Sequence, residues 1–256
     1  MKQYRNYIFD LYGTLVDIRT DETDRKLWEH MSLFYGYYGA RYEAEELHQA
    51  YLTLVNAKEK ALKQEHAVQY SHESYPEIPI EDVFRELYET KGVAPDSQLV
   101  IHTGQMFRAH STKHIRLYAH AKELLAALRE SGRRVYLLSN AQRIFTEYEL
   151  FYLGIHSFFD GILISSDYGC RKPDERFYGL LSEKYGVSPE ESIMIGNDMD
   201  TDIAGAVRAG MDSFYIHSAI SPPAQTAAGT GHTHADYVMG RMNLQVLKHR
   251  LLATDR

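Results

Sequence analysis

Asp10 closes a short apolar run, Tyr7-Ile8-Phe9, and the chain then turns at once through Gly13 and Thr14. Ser139 and Asn140 close a second such run, and Asn197 and Asp198 a third. Lys172 sits in a loop beyond a further run, and Asp202 follows Asp198 by four residues. A carboxylate so placed can act as a nucleophile, forming an ester or acyl phosphate that water later cleaves. Thr14 can offer its hydroxyl and the turn's N–H groups to an anion. Ser139 can donate to a phosphoryl oxygen, with Asn140 beside it as a second substrate contact. Lys172 can neutralise nucleophile and substrate together. Asp198 and Asp10 can hold a hard divalent cation through oxygens, as Mg2+ prefers. Singly, each has a purely structural alternative: Ser139 as a helix cap, Lys172 as a solvated loop charge, Asp202 as an acid favoured in a helix's first turn. Their order and shared placement at strand ends argue against coincidence.

The elements that must position these residues are legible. Residues 6–10, 134–140, 161–167 and 192–198 are short runs rich in Ile, Val, Leu and Tyr, as fully buried parallel strands are. Residues 212–217 and 235–239 extend the series. Between them lie helical patterns, 121–131 with Leu124, Leu125 and Leu128 on one face, and others that stop at Gly154, Gly186 and Gly210. Strands alternating with helices predict βαβ units and an open parallel sheet, beyond whose carboxyl edge ligands bind. Residues 18–112 break the rhythm. They show only helical patterns and predict a helical insert directly after the first strand. The stretch 70–79 reads as a Pro-punctuated connection. Residues 218–234 read as a loop, in which His232 and His234 are more simply solvated than metal-binding.

Composition bounds the rest. The chain has 256 residues, 44% of them hydrophobic, enough for one large domain or two unequal ones. A formal net charge of −7 argues against nucleic acid. The lone Cys170 excludes an internal disulfide framework. No signal pattern opens the chain, and no apolar run approaches membrane-spanning length. The expectation is a cytoplasmic protein, monomer or homodimer, without membrane or nucleic-acid partners.

The four segments "FDLYGTLVD", "LLSN", "RKPDERFY" and "IGNDMDTDIAGAVRAG" resemble the four successive motifs of the haloacid dehalogenase superfamily, over residues 4–240. The resemblance implies an α/β, Rossmann-like core from residues 1–17 and 113–256, with residues 18–112 as an all-helical cap over the active site. By position Asp10 is the nucleophile, Thr14 and Ser139 bind the transferred group, and Lys172 orients it. Asp10, the Tyr12 backbone carbonyl, Asp198 and Asp202 hold Mg2+ or its water shell.

Two departures divide the readings. The family's phosphatases carry a second aspartate, their general acid and base, where this chain has Tyr12. A tyrosine hydroxyl is a poor base near neutrality. Tyr12 is instead typical of the family's metal-free 2-haloacid dehalogenases, whose halide leaves without protonation. The fourth motif pulls the other way. Asp198, Asp200 and Asp202 concentrate charge that a cation or lysine must offset. Its register leaves Asn197 at the usual acid position, with Asp198 preferred as ligand because it keeps the carboxylate. The leading reading is a Mg2+-dependent phosphatase of a small phosphorylated metabolite, acting through an aspartyl-phosphate. The alternatives are a metal-free dehalogenase acting through an aspartyl ester, with Tyr12 lining its substrate pocket, and a non-catalytic ligand-binding member. In the insert, Trp28, Phe34, Tyr35, Tyr37 and Tyr38 are expected mainly to pack helices together, while Arg41 is a candidate to reach the substrate.

Overall fold

The computed structural model describes residues 1–70, 74–223 and 234–253. His232 and residues 71–73 of the Pro-punctuated connection lie outside them. A six-stranded, all-parallel sheet runs in the order β5-β4-β1-β6-β7-β8. Its strands are β1 (Asn6–Phe9), β4 (Arg134–Ser139), β5 (Gly161–Ile164), β6 (Ser192–Gly196), β7 (Asp212–Ile216) and β8 (Tyr237–Met239). All six follow the apolar runs of the sequence. Every residue of β1 and β6 is buried, because helices cover both faces of a parallel sheet.

The helices are amphipathic and lay their apolar stripe on that sheet. On one face, α5 (Ala121–Glu130) buries Leu124, Leu125 and Leu128 beside α9 (Leu244–Leu252), which buries Leu247 and Leu251. On the other, α7 (Glu175–Tyr185) buries Phe177, Tyr178 and Leu181. α6 (Arg143–Tyr152) follows β4. Where a continuous helix was expected after β6, a π-turn (Met199–Ile203) precedes a short α8 (Ala204–Arg208). α9 carries no separate signal in the sequence reading.

The insert departs from expectation at its ends. β2 (Val16–Thr20) pairs antiparallel with β3 (Thr112–Leu117), so a strand, not a helix, follows the first turn. Both strands are short, polar and half-exposed, and their partners are far apart in sequence. Nothing local marks such a ribbon. Between them run α1 (Arg25–Tyr37), α2 (Ala44–Gln69), α3 (Ile80–Glu89) and α4 (Ser97–Ser111). These four build their own core around Trp28, Tyr35, Tyr51, Phe84 and Phe107, joined by Phe145 of α6. Trp28 and Tyr35 are packing residues, as expected, whereas Tyr37 and Tyr38 are exposed. Arg41 is exposed too.

The insert is also stapled to the sheet domain at a second place. Its segment Tyr75–Ile80 runs along the loop that carries Lys172. Arg171 N donates to Tyr75 O (2.9 Å) and Glu77 N to Gly169 O (3.2 Å). Gln142, just beyond β4, accepts from Ile80 N and donates to Ile78 O.

Candidate active site

β1 lies between β4 and β6, where the order of strand connections reverses. This is the crevice in which open α/β sheets bind ligands. Asp10 follows β1 there, its backbone still bonded to Ile195 O of β6. The turn after it needs Gly13, with φ +89°, since a Cβ at that place would lie 2.3 Å from the Asn197 amide. Thr14, fully buried, is thereby brought back to donate from Oγ1 to Asp10 Oδ2 at 3.2 Å.

Lys172 is the hub. Its ammonium, buried with the rest of the side chain, donates to Asp10 Oδ1 at 2.7 Å and to Asp202 Oδ1 at 2.6 Å. Burial opposes its charge, but Asp10 and Asp202 outweigh that and hold its pKa above the ordinary lysine value. One cation thus serves two buried carboxylates. Burial, with the charge of Asp10 added against the pull of Lys172, pushes the Asp202 carboxyl up to about 7. Asn140 holds Lys172 in place, its amide bridging the lysine's own backbone: Lys172 N donates to Oδ1 (2.7 Å) and Nδ2 donates to Lys172 O (3.0 Å). Asn140 therefore positions Lys172 while lining the cleft. Ser139 is fully buried, and its Oγ has no hydrogen-bond partner among the described residues. A buried hydroxyl without a partner is costly, so a ligand acceptor there would repair it.

The turn after β6 sets apart the tasks of its polar residues. Asp202 Oδ2 accepts from the N–H groups of Asn197 and Asp198, both at 3.0 Å. Gly196 makes room, as a Cβ there would fall 2.2 Å from that oxygen. Both oxygens of Asp202 are thus engaged by Lys172 and by the loop. Asp198 lines the cleft, but its Oδ1 caps the π-turn by accepting from Asp200 N and Thr201 N. Among the described residues, no three His, Cys, Asp or Glu side chains form a metal-ligand group. The residue that reaches the nucleophile is Asn197. One end of its amide lies 3.3 Å from Asp10 Oδ2, 3.3 Å from Thr14 Oγ1 and 3.1 Å from Tyr12 O. The other end faces the hydroxyls of Ser218 and Ser221. With nitrogen inward the amide donates to all three oxygens. With oxygen inward, Asn197 Oδ1 lies 3.3 Å from Asp10 Oδ2 and 3.1 Å from Tyr12 O, oxygens of the kind a hard cation binds. The donor set therefore fits a hard cation.

Tyr12 is the second surprise. Its hydroxyl donates to Glu149 Oε2 at 2.6 Å and lies 3.0 Å from Thr146 Oγ1, both on α6. Burial first, then the Glu149 charge, raise the phenol above the usual tyrosine range. The proton is thus held on Tyr12 and pointed at Glu149. The cleft itself measures about 180 Å3 and is lined by Asp10, Tyr12, Asn140, Lys172, Asn197, Asp198, Thr201, Asp202, Ile220 and Pro222. Arg41 is not among its walls. Sequence reasoning weighed Asn197 but preferred Asp198, and missed Thr201, Ile220 and Pro222 as walls. The Ser/Pro-rich run straight after β7 was the available signal for the last two.

Comparison with known proteins identifies the family and the fold. The profile of the haloacid dehalogenase-like hydrolases matches residues 4–210. The chain is 31% identical over 134 residues to a glyceraldehyde 3-phosphate phosphatase of Methanothermobacter thermautotrophicus, covering 52% of this chain and 59% of that one. It is 25% identical over 211 residues to an N-acylneuraminate-9-phosphatase of Rattus norvegicus, covering 82% and 81%. The chain spans about half the length of the glyceraldehyde 3-phosphate and phosphoserine phosphatases that it matches. Among solved structures, an L-2-haloacid dehalogenase superposes over 98% of this chain and 100% of its own, with a TM-score of 0.58 at 17% identity, a likeness of fold.

Proposed function

This chain belongs to the haloacid dehalogenase-like hydrolases, and from that membership we propose that it is a Mg2+-dependent phosphatase of a small phosphorylated metabolite. The observation that carries the reading is Lys172 shared between Asp10 and Asp202 at the sheet's switch point. It fixes Asp10 beside a small polar cleft. The phosphatase relatives support the phosphoryl chemistry.

Asp10 attacks phosphorus, the bond from phosphorus to the leaving oxygen breaks, that oxygen takes a proton from solvent, and an aspartyl-phosphate forms on Asp10. Water then attacks that phosphorus and returns a proton to solvent, the bond from phosphorus to Asp10 breaks, and inorganic phosphate leaves with the carboxylate restored. Lys172 and Thr14 hold the nucleophile, and the unpartnered Ser139 hydroxyl donates to a phosphoryl oxygen. Asp10, the Tyr12 carbonyl and Asn197 Oδ1 would hold Mg2+, which supplies charge neutralisation for the phosphoryl group. The four helices of the insert act as a cap, held beside the site by the contacts of Tyr75–Ile80 with the Lys172 loop and Gln142, while the walls of the cleft itself come from the sheet domain. The leaving oxygen finds no carboxylic acid at position 12.

A second reading, a metal-free haloacid dehalogenase acting through an aspartyl ester, draws on one observation. With its nitrogen inward, the Asn197 amide satisfies the oxygens that a cation would otherwise join. The deciding experiment measures phosphate and halide release, each with and without EDTA. Phosphate release that EDTA abolishes selects the first reading, and halide release indifferent to EDTA the second. Turnover of neither, with ligand still bound, selects a non-catalytic binding protein.

A further inference from the structure

Three residues from three elements meet behind the nucleophile. Tyr12 lies in the turn between β1 and β2, two residues after Asp10. Glu149 belongs to α6 of the sheet domain, and Arg108 to α4 of the insert. Arg108 grips Glu149 with two nitrogens, Nε to Oε1 at 2.6 Å and Nη2 to Oε2 at 3.2 Å. The Tyr12 hydroxyl donates to the same Oε2. The guanidinium lies 5.6 Å from the centre of the Tyr12 ring and 5.2 Å from that of Phe145. Glu149 is 7% exposed. A carboxylate so buried is tolerable only with its partners in place.

We propose that Arg108 and Glu149 are positioning residues that couple docking of the helical insert to the pose of Tyr12, and through Tyr12 to the nucleophile's turn. The reaction they serve rests on the reading of Asp10 as nucleophile. The coupling follows from the connections. Arg108 travels with the insert, so its guanidinium reaches Glu149 only when α4 is seated on α6. Without it, buried Glu149 has no cation beside it and turns towards water. That turn removes the acceptor that fixes the Tyr12 hydroxyl. Tyr12 O is one of the three oxygens facing the Asn197 amide, and the turn's own bonds, Gly13 N to Val16 O and Val16 N to Leu11 O, run through the same residues. A loosened Tyr12 therefore loosens the turn that holds Asp10 and Thr14. Arg108 and Glu149 also wall a cavity of about 580 Å3 between α4 and α6. Shortening Arg108 widens existing space instead of opening a sealed void, which favours folded variants.

Amide hydrogen exchange on the whole chain tests the coupling without any substrate. Arg108→Gln is expected to speed exchange at least tenfold in the peptide covering residues 10–16. Tyr12→Phe should do so in that peptide while leaving α4 within twofold of wild type. Lys58→Gln, which breaks an ion pair with Glu86 inside the insert, should leave residues 10–16 unchanged. If Arg108→Gln unfolds the chain, Arg108→Lys, which keeps the charge and loses the fork, should give a smaller acceleration in the same peptide. Acceleration confined to α4 and α6 in the folded variant overturns the proposal. Kinetics with p-nitrophenyl phosphate supply a second readout. Arg108→Gln should lower kcat at least tenfold with KM within threefold, and add less than twofold on top of Tyr12→Phe. Effects of the two substitutions that simply multiply overturn it as well. Turnover that survives Asp10→Asn would sink the phosphatase reading instead, and the exchange result would still decide the coupling.

Discussion

At the scale of the residue, the proposed function rests on a few atoms around Asp10. Asp10→Asn keeps the shape of the side chain but removes the nucleophilic charge, and should abolish turnover while the folded state persists. More than a few per cent of residual activity would refute the role. Tyr12 offers a finer test. Its hydroxyl is committed to Glu149, so general acid catalysis, typically worth about 10²–10⁴-fold, is missing for poor leaving groups. Tyr12→Asp should shift the ratio of the two activities towards an alkyl phosphate over an aryl phosphate, even though loss of the bond to Glu149 slows both. An unchanged ratio would refute the missing-acid account. Lys172 makes a prediction in pH. The Asp202 carboxyl stands near 7 in the fold, above its ordinary 3.8. Below the lower value both states carry the proton, and between the two the folded state holds one that the unfolded chain has lost. Stability from this group therefore falls as pH rises. Lys172→Met removes the cation that restrains the shift. It should cost about 3–5 kcal/mol, and more at pH 8 than at pH 5 in urea unfolding. An equal loss at both values would show that the carboxylates do not share this cation.

At the scale of the element, the turn after β6 shows how backbone geometry selects among neighbouring polar residues. Asn197, Asp198, Asp200 and Asp202 are almost interchangeable by composition, yet the π-turn separates their tasks. Asp198 caps the turn, Asp202 is drawn inward to Lys172, and Asn197 is left facing Asp10. Manganese binding followed by electron paramagnetic resonance should therefore respond to position 197. Asn197→Asp adds a charge to the donor set and should tighten binding at least tenfold, whereas Asp198→Asn should change it less. A loss of binding confined to Asp198→Asn would return the ligand role to Asp198. The β2–β3 ribbon teaches the complementary lesson. Its strands pair Val16 with Leu117 and Asp17 with Arg116, contacts between residues a hundred positions apart. Their alternation is too short and too polar to outweigh the helical patterns beside it.

At the scale of the whole molecule, the core of the insert reaches the sheet domain through an aromatic joint on α6. Phe107 of α4 stacks at 6.2 Å on Phe145 of α6 and also packs on Trp28, Tyr51 and Phe84. Phe107→Ala should cost about 3–5 kcal/mol in chemical denaturation, the usual range for a fully buried aromatic. A loss under 1 kcal/mol would mean that the insert contributes little to the stability of the whole. Among the described residues, no helix is long and apolar enough to cross a membrane.

The sequence by itself determined the parallel sheet, because fully buried strands must be written as short apolar runs, and β1, β4, β5 and β6 are. It also placed Asp10, Thr14, Ser139 and Lys172 at or beside the sheet's carboxyl edge, since the ends of those runs are where apolar writing stops. Only the tertiary structure decided which polar group faces which. Lys172 meets Asp10 and Asp202 across three segments of the chain. Asn197 and not Asp198 turns inward, and the Tyr12 hydroxyl finds Glu149 and, through it, Arg108. Such pairings leave no periodic trace in the chain. They are set by where the turns aim each side chain and by the need of every buried charge for a partner, and both are properties of the assembled fold.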